Sequence, residues 1–206
     1  MDKQKVLDII SAMGGKMEEE KQFLTDLDNA IGDGDHGINM AKGFGAVTAK
    51  LDVLRTQDIG SALKTVGMTL VSAVGGSSGP LYGTAFMKAG MVMAGKEEMD
   101  IADFLSCMKA GIEGVVMRGR AVKGEKTMLD AMIPALEAME KANADGSSPK
   151  EVLEAGVAAA QEGVEFTKTI IATKGRASYI GERSLGHQDP GATSFTFLLG
   201  VAAKAL

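Results

Sequence analysis

Apolar residues along most of this chain recur at intervals of three and four positions, the spacing that places them on one face of a helix. The clearest run follows Asp100, a candidate N-cap, and contains Ile101, Phe104, Leu105, Met108, Ile112, Val115 and Val116. Similar stripes follow Asp58 and reach the C-terminus at Leu206. We find no alternating strand pattern. The sequence therefore predicts an all-α fold.

The helical pattern extends over eight or nine segments. Besides the three stripes above, it predicts helices over residues 3–13, 17–31, 38–54, 84–95, 128–144 and 149–173. Because the connections are short, we expect most neighbouring helices to run antiparallel. We predict a single domain over residues 1–206, an antiparallel up-and-down barrel or bundle of about eight helices.

Composition narrows the classes of function. Aromatic residues make up 4% of the chain and Trp is absent, so the core must consist of aliphatic side chains and the 14 Met. The net charge of −5 gives no counterion-release advantage on nucleic acids, so we expect no nucleic-acid partner. The single Cys107 cannot form an internal disulfide. With a polar N-terminal segment and no apolar run of about 18 residues, these features predict a cytoplasmic protein without membrane association.

Glycine, aspartate, serine and basic residues are concentrated in four of the connections. These are IGDGDHGIN at 31–39, GGSSGPLYG at 75–83, RGRAVKGEKTM at 118–128 and KGRASYIGERSLGHQDPG at 174–191. Two predicted helices separate each of these loops from the next. In an up-and-down bundle, such loops emerge at the same end. The sequence therefore predicts a composite binding site at one end of the bundle.

The first of these loops contains a candidate metal site. Asp28, Asp33 and Asp35 fall within eight residues, and intervening glycines allow the backbone to bring the carboxylates together. Three close carboxylates repel one another unless a cation neutralises them. Oxygen ligands alone favour Mg²⁺ over Zn²⁺, and EF-hand spacing does not fit. A solvated Asp-Gly turn is the alternative. His36 could support a ligand or donate to phosphate, whereas Asn39 could simply cap the next helix.

The remaining loops contain candidate anion-binding groups. Ser77 and Ser78 precede Pro80 at a predicted helix start, where free amides and hydroxyls can bind an anion, although the Walker A spacing is missing. A tight turn is the alternative there. The two basic loops could contact a polyphosphate–metal complex, or their cations could pair with surface glutamates. Those cations are Arg118, Arg120, Lys123, Lys126, Lys174, Arg176 and Arg183.

Taken together, GDGDHG, VGGSSGPLYG, GEKTM and KGRASYIGERSLGHQDPGATS resemble the nucleotide-binding L subunit of dihydroxyacetone kinase, over essentially the whole chain. The resemblance implies that Asp28, Asp33 and Asp35 hold two Mg²⁺ ions that bridge the phosphates. It implies that Arg176 lies closest to the transferred phosphoryl group, as the catalytic residue. The nucleotide contacts that it implies are His36, Gly37, Ile38, Asn39, Ser77, Ser78, Gly119, Met128, Arg176, Asp189, Pro190 and Gly191.

The resemblance also implies an activity and partners. ADP/ATP would be a tightly bound coenzyme, rephosphorylated in place by a phosphohistidine donor protein of the sugar phosphotransferase system. The γ-phosphoryl group would pass to dihydroxyacetone held on a separate K subunit. Three alternatives stay open: a phosphohistidine carrier using His187 or His36, a nucleotide-sensing module that binds a transcription regulator, and a kinase component acting on another small substrate.

Overall fold

A computed structural model describes all 206 residues of the chain. It contains ten α-helices, one 3₁₀ helix and a single isolated β-bridge between Asp2 and Glu98. The α-helices are α1 Lys3–Glu19, α2 Lys21–Ile31, α3 His36–Thr48, α4 Leu51–Arg55, α5 Ile59–Ala73, α6 Ser78–Val92, α7 Ile101–Gly119, α8 Leu129–Ala144, α9 Pro149–Lys168 and α10 Pro190–Lys204. The 3₁₀ helix spans Arg176–Ser184. The predicted all-α fold class is confirmed.

Side-chain caps explain where several helices begin. Asp100 accepts a hydrogen bond from the backbone N–H of Asp103, and the Asp103 carboxylate accepts one from the N–H of Asp100, so α7 starts with a reciprocal capping box. Ser148 and Glu151 form the same arrangement at α9, with Pro149 in the first helical position. These starts agree with the sequence prediction because the capping signals are local.

Helix boundaries near the Gly-rich segments differ from the prediction. The expected helix 38–54 is two helices, α3 and α4, and the chain turns at residues 49–50. Helix α6 begins at Ser78, six residues before the expected start at 84, so most of GGSSGPLYG is helical. Pro80 lies in the first turn of α6, where its missing N–H removes no helical hydrogen bond. The predicted helix start at Pro80 therefore agrees with α6 to within two residues, whereas the apolar pattern that begins at 84 does not extend over the glycine-rich first turn.

The C-terminal part of the predicted helix 149–173 also differs. Helix α9 ends at Lys168, and an unpredicted 3₁₀ helix follows after a short connection. The backbone carbonyls of Thr167 and Ile170 accept hydrogen bonds from the Lys126 ammonium group. A cation from a distant loop thus satisfies carbonyls at the helix end, a long-range effect that local periodicity cannot reveal.

The chain divides into two compact units. The first consists of Met1–Glu19 and Asn39–Arg120, and the second of Glu20–Ile38 and Ala121–Leu206. This division does not test the assignment of residues 1–206 to one domain, which stays a prediction. No helix in the structure combines the length and the apolar character needed to cross a membrane.

In the first unit, α6 packs between α5 and α7. The α5–α6 contact is close enough that a Cβ atom placed on Gly67 would lie 2.5 Å from the backbone oxygen of Gly83. Glycines at such contacts let the helix backbones approach closely, so the core can be filled with few aromatic side chains. Phe44 is fully buried and meets the ring of Phe86 edge-on, at 6.2 Å between centroids.

In the second unit, α10 packs against α8, α9 and α2, and α8 packs along α9. The 3₁₀ helix contacts α2 through a small apolar cluster of Ile31, Ala172 and Ala177, with Ile180 at its edge. These contacts bring three segments with candidate functional residues into one unit: the end of α2, the 3₁₀ segment and the start of α10.

Candidate metal and nucleotide site

Asp28 anchors the acidic loop to the helix before it. Its side chain, on the last turn of α2, is 7% exposed. One of its oxygens, Oδ2, accepts hydrogen bonds from the backbone N–H groups of Asp35 at 2.9 Å and His36 at 3.1 Å. These bonds fold residues 32–36 back over the helix end. The other oxygen, Oδ1, takes no part in them and stays available as a ligand atom.

Glycines make this fold-back possible at two positions. Gly34 has a φ of +73°, in the left-handed region that residues with a side chain rarely adopt. A Cβ atom on Gly37 would lie 2.0 Å from the backbone oxygen of Lys21 and 2.7 Å from the backbone nitrogen of Thr25. The start of α3 therefore touches α2 directly, which confirms the expectation that glycines allow the loop to double back.

The three carboxylates converge. One ligand oxygen from each of Asp28, Asp33 and Asp35 lies within 4.8 Å of the other two. Asp28 is buried, Asp35 half-buried and Asp33 exposed, so the cluster is open on one side. Three hard oxygen donors with an open side suit Mg²⁺, which keeps part of its coordination sphere for water or phosphate oxygens. The predicted convergence is confirmed, and the assignment of the metal stays a prediction.

Arg176 supplies a positive charge to this cluster. Its Nη2 lies 2.8 Å from Oδ2 of Asp33, and its side chain is 60% exposed. The neighbouring Ala177 is buried against Ile31, which ties the backbone of Arg176 to the end of α2. One arginine beside three carboxylates leaves an excess of negative charge, so the cluster can still take up divalent cations.

His36 is held inside the protein at the start of α3. It is 7% exposed, its Nε2 lies 2.9 Å from Oγ of Ser194, and the carbonyl of Pro190 accepts a hydrogen bond from its ring. Burial lowers the pKa of His36 to about 4, against the opposing influence of the Asp35 charge and the Pro190 carbonyl. The imidazole is therefore neutral near pH 7. Its contacts fix α10 beside the acidic loop.

Asp189, Pro190 and Gly191 form the start of α10. The Asp189 carboxylate accepts a hydrogen bond from the N–H of Ala192 at 2.7 Å and so caps the helix. Burial raises the pKa of Asp189 to about 7, with a further upward influence from Asp130 and an opposing one from the Ala192 N–H and Lys126. Met128 lies beside Gly191, because a Cβ atom on that glycine would be 3.4 Å from Met128 Cβ.

Four of the predicted nucleotide contacts lie in the first unit: Asn39, Ser77, Ser78 and Gly119. Ser77 occupies the N-cap position of α6 and Ser78 is its first residue. The Asn39 amide lies against Gly75, because a Cβ atom there would be 3.1 Å from the Asn39 Oδ1 atom. Helix α3 already begins at His36, so the alternative that Asn39 caps it is wrong.

The remaining predicted contacts lie at exposed positions. Gly119 ends α7 and is followed by Arg120, which adopts the left-handed conformation at φ 51°. Ile38 is 49% exposed on the first turn of α3. The predicted convergence of all four loops stays a prediction.

Two lysines of loop 118–128 are engaged by other groups of the second unit. Lys126 is 1% exposed, and its ammonium donates hydrogen bonds to the carbonyls of Thr167 at 2.7 Å, Ile170 at 3.2 Å and Ser184 at 2.6 Å. An ammonium has three donors, so none remains for a phosphate. The expectation that Lys126 contacts polyphosphate is wrong. Lys123 lies 3.5 Å from Glu137, as the surface-pairing alternative suggested.

The sequence analysis also missed several buried polar residues. Asp130 is fully buried and accepts hydrogen bonds from the backbone N–H groups of Gly124 and Thr127. The Thr127-x-x-Asp130 spacing is a capping signal that could have revealed it. Thr167, Ser184 and Ser194 had no comparable local signal, because their partners lie far away in the sequence.

Comparison with known proteins places this geometry in a family. The DAK2 domain matches residues 30–204, so the chain belongs to the DAK2-domain family. It is 40% identical to the PEP-dependent dihydroxyacetone kinase ADP-binding subunit DhaL of Escherichia coli, covering all of this chain and 98% of that protein. It is 37% identical to the L-erythrulose 1-kinase of Mycolicibacterium smegmatis, over 87% of this chain and 32% of that protein.

Solved structures agree with the fold. The chain superposes on the dihydroxyacetone kinase of C. freundii with a TM-score of 0.75 and 25% identity, covering 98% of this chain but 34% of that one. A second structure of that kinase, in complex with AMP-PNP and Mg²⁺, gives a TM-score of 0.73. The predicted family and the kinase class of phosphotransferase are confirmed.

Proposed function

We propose that this chain is the nucleotide-binding subunit of a multi-subunit dihydroxyacetone kinase, with ADP/ATP as a tightly held coenzyme. In this proposal the chain receives a phosphoryl group from a phosphohistidine protein of the phosphotransferase system and passes it to dihydroxyacetone on a K subunit. The observation that supports it most is the open carboxylate cluster beside Arg176, in a chain that matches a curated ADP-binding subunit along its whole length.

The acidic residues are the proposed ligands of two Mg²⁺ ions. Asp28 offers Oδ1, since backbone N–H groups already occupy Oδ2, and Asp33 and Asp35 offer oxygens from the loop. Bound Mg²⁺ supplies positive charge that offsets the charge of phosphate oxygens. Mg²⁺ bound to Asp33 would weaken the ion pair between Asp33 and Arg176. The exposed guanidinium would then be able to donate to a phosphoryl group.

The nucleotide contacts are proposed along the start of α3, the start of α10 and the first turn of α6. Gly37, Ile38 and Asn39 present backbone and amide groups on α3. Asp189, Pro190 and Gly191 form the start of α10, where Gly191 lies beside Met128. Ser77 and Ser78 present hydroxyls at the N-terminus of α6, and Gly119 completes the set. Helix N-termini favour anionic ligands, which suits a diphosphate.

Of the two histidines that could act as a phosphohistidine carrier, His36 fits that role less well than His187. His36 is buried and its ring is engaged by Ser194 and Pro190, so a donor protein cannot reach it without opening the site. His187 is exposed. Incubating the chain with a phosphorylated donor and measuring base-stable, acid-labile phosphate on the wild type and on His187→Ala tests the carrier directly.

The proposed function predicts a defined reconstitution. The chain, a K subunit, dihydroxyacetone, Mg²⁺ and a phosphorylated phosphotransferase-system donor should together form dihydroxyacetone phosphate. Omitting the donor while supplying ATP in excess should give at most one turnover per chain if the nucleotide is not exchanged. No product with any donor, despite tight Mg²⁺-dependent ADP binding, would favour the nucleotide-sensing alternative. Product from another ketose or aldose alone would favour a different acceptor.

A further inference from the structure

Lys126 holds the segment that carries Arg176 at both of its ends. Residues 168–186 form a loop that starts and finishes at one place, since the N–H of Gly186 donates to the carbonyl of Lys168 at 2.8 Å. The Lys126 ammonium donates to Thr167 and Ile170 at the start of this loop and to Ser184 near its finish. We call residues 168–186 the arginine loop.

Apart from Lys126, a small apolar cluster and a backbone hydrogen bond hold the arginine loop. The cluster consists of Ile31, Ala172, Ala177 and Ile180, and the N–H of Thr173 donates to the carbonyl of Glu125 at 3.2 Å. Inside it, Oγ of Ser184 accepts a hydrogen bond from the N–H of Ala172 and donates to the carbonyl of Gly181. Much of the loop is exposed, including Tyr179 at 84%. Polar contacts at its two ends must therefore supply most of its order.

The position of Lys126 is unfavourable unless these contacts form. Its φ is +61°, in the left-handed region that costs a residue with a side chain about 1 kcal/mol. Its charge is almost completely withdrawn from water. Three carbonyl acceptors use all three N–H donors, and a neutral amine has only two, so the geometry requires the charged form. The Asp189 charge favours that form as well, whereas burial lowers the pKa of Lys126.

We infer that Lys126 is a positioning residue for Arg176. By holding the two ends of the arginine loop together, it sets the position of the guanidinium beside Asp33 and the other carboxylates of the acidic cluster. This inference rests on the proposed role of Arg176. The hydrogen bonds of Lys126 reach neither the carboxylates of that cluster nor Asp189, the proposed nucleotide contact whose charge acts on it. The inference is therefore that its effect passes through Arg176.

The first test follows the loop without any nucleotide. Trypsin can cleave after Lys174, Arg176 and Arg183, all within the arginine loop. Lys126→Met removes the three donors at similar side-chain length, and Lys123→Met is a matched control at an exposed position of the same connection. Mass spectrometry should show several-fold faster cleavage at these three bonds in Lys126→Met than in Lys123→Met, with unchanged helicity. Equal cleavage in the two variants would overturn the inference.

Because Lys126→Met leaves three carbonyls unpaired, a gentler variant at the same position is included. Lys126→Gln retains two N–H donors at a slightly shorter reach and has no charge. It should accelerate cleavage at the same bonds, by less than Lys126→Met does. If Lys126→Met is folded by far-UV circular dichroism, its cleavage pattern decides. If it is not folded, faster cleavage of Lys126→Gln confined to the arginine loop supports the inference, and an unchanged pattern contradicts it.

The second test asks whether Lys126 acts through Arg176. Lys126→Met should weaken Mg²⁺-dependent ADP binding by about 10- to 100-fold, the range for residues that orient ligand-contacting groups. In an Arg176→Ala background the same substitution should change affinity by less than about twofold, because the group that it positions is gone. Full additivity of the two substitutions would overturn the inference. If Arg176→Ala alone left affinity and turnover unchanged, the proposed function of Arg176 would be wrong. The trypsin result would still show whether Lys126 holds the two ends of the arginine loop together.

Discussion

Two groups of charged residues in the second unit contain acidic side chains and behave differently. The open cluster consists of Asp28, Asp33 and Asp35 with Arg176 at its edge. The closed cluster consists of Lys126 and Asp130. In the closed cluster, both Asp130 oxygens accept backbone N–H groups and the Lys126 ammonium is saturated by carbonyls. In the open cluster, one arginine faces three carboxylates.

The difference shows how to separate structural from ligand-binding charge. A buried charge whose donors and acceptors are all used stabilises the fold and has nothing left to offer a ligand. A partly exposed cluster with excess charge of one sign is unfavourable by itself and becomes favourable when a counterion binds. By this criterion, Lys126 of GEKTM contributes to the fold and the carboxylates of GDGDHG to the site, although both motifs look equally polar in the sequence.

Breaking the open cluster should have the largest effect. Asp33→Ala removes an exposed ligand oxygen, so Mg²⁺-dependent ADP affinity should fall by about 100-fold or more, since metal-mediated contacts contribute several kcal/mol. The free energy of unfolding in EDTA should change by no more than about 0.5 kcal/mol, because the side chain is exposed. Titration calorimetry and urea unfolding measure the two quantities. Retention of ADP through gel filtration would contradict the metal assignment.

Altering the cation of the open cluster should affect turnover more than binding. Arg176→Lys keeps a positive charge but loses the planar set of donors, so kcat in the reconstituted reaction should fall by about 100-fold. Affinity for ADP should fall less than kcat does, because the carboxylates and metal still hold the diphosphate. Steady-state rates with saturating K subunit and donor would show this. A loss of ADP affinity with kcat unchanged would place Arg176 in binding alone.

Breaking the closed cluster should affect stability and leave the metal dependence intact. Asp130→Ala leaves the N–H groups of Gly124 and Thr127 without their acceptor, so the free energy of unfolding should fall by about 3 kcal/mol. ADP affinity in Mg²⁺ should stay within about threefold of the wild type, and binding should be undetectable in EDTA as it is for the wild type, measured where the variant is folded. A loss of Mg²⁺ dependence in this variant would contradict the assignment of the closed cluster to the fold alone.

His36 makes the stability of the second unit depend on pH. Its pKa is about 4 in the folded chain and about 6.5 when unfolded, so the unfolded chain binds more protons between these values. The stabilisation is complete above the unfolded pKa and is lost as the pH falls toward the folded one. Between pH 7.5 and pH 5 the wild type should lose about 2 kcal/mol relative to His36→Gln, in EDTA. Parallel stability curves for the two proteins would contradict the burial of a neutral imidazole.

The smallest effect is expected for the exposed pair beside the closed cluster. Lys123→Met removes an ion pair with Glu137 whose side chains are 47% and 63% exposed. The free energy of unfolding should change by less than about 0.5 kcal/mol and ADP affinity not measurably. A larger change would show that loop 118–128 has a role in binding after all.

Local signals explain how much the sequence could predict. Helix periodicity and caps such as Asp100 and Ser148 act within a few residues, so the all-α class and most helix starts follow from them. The convergence of Asp28, Asp33 and Asp35 could also be predicted, because the first and the last are only seven positions apart. The family resemblance supplied the more distant assignments.

Long-range contacts explain what was missed. The burial of Lys126 depends on carbonyls 41 to 58 positions later in the chain, and His36 meets Ser194 across 158 positions. The early start of α6 depends on how Pro80 is placed in a helical turn. A sequence shows that a lysine or histidine is present, whereas only the fold decides whether it faces water or a ring of acceptors.

Titration calorimetry of ADP into nucleotide-free protein, performed once with Mg²⁺ and once with EDTA, tests the central claim most directly. If the open cluster binds the diphosphate through divalent cations, one ADP should bind per chain with Mg²⁺ and binding should be undetectable in EDTA. Equal affinity in the two titrations would contradict the account, because the three carboxylates would then oppose the nucleotide rather than hold it.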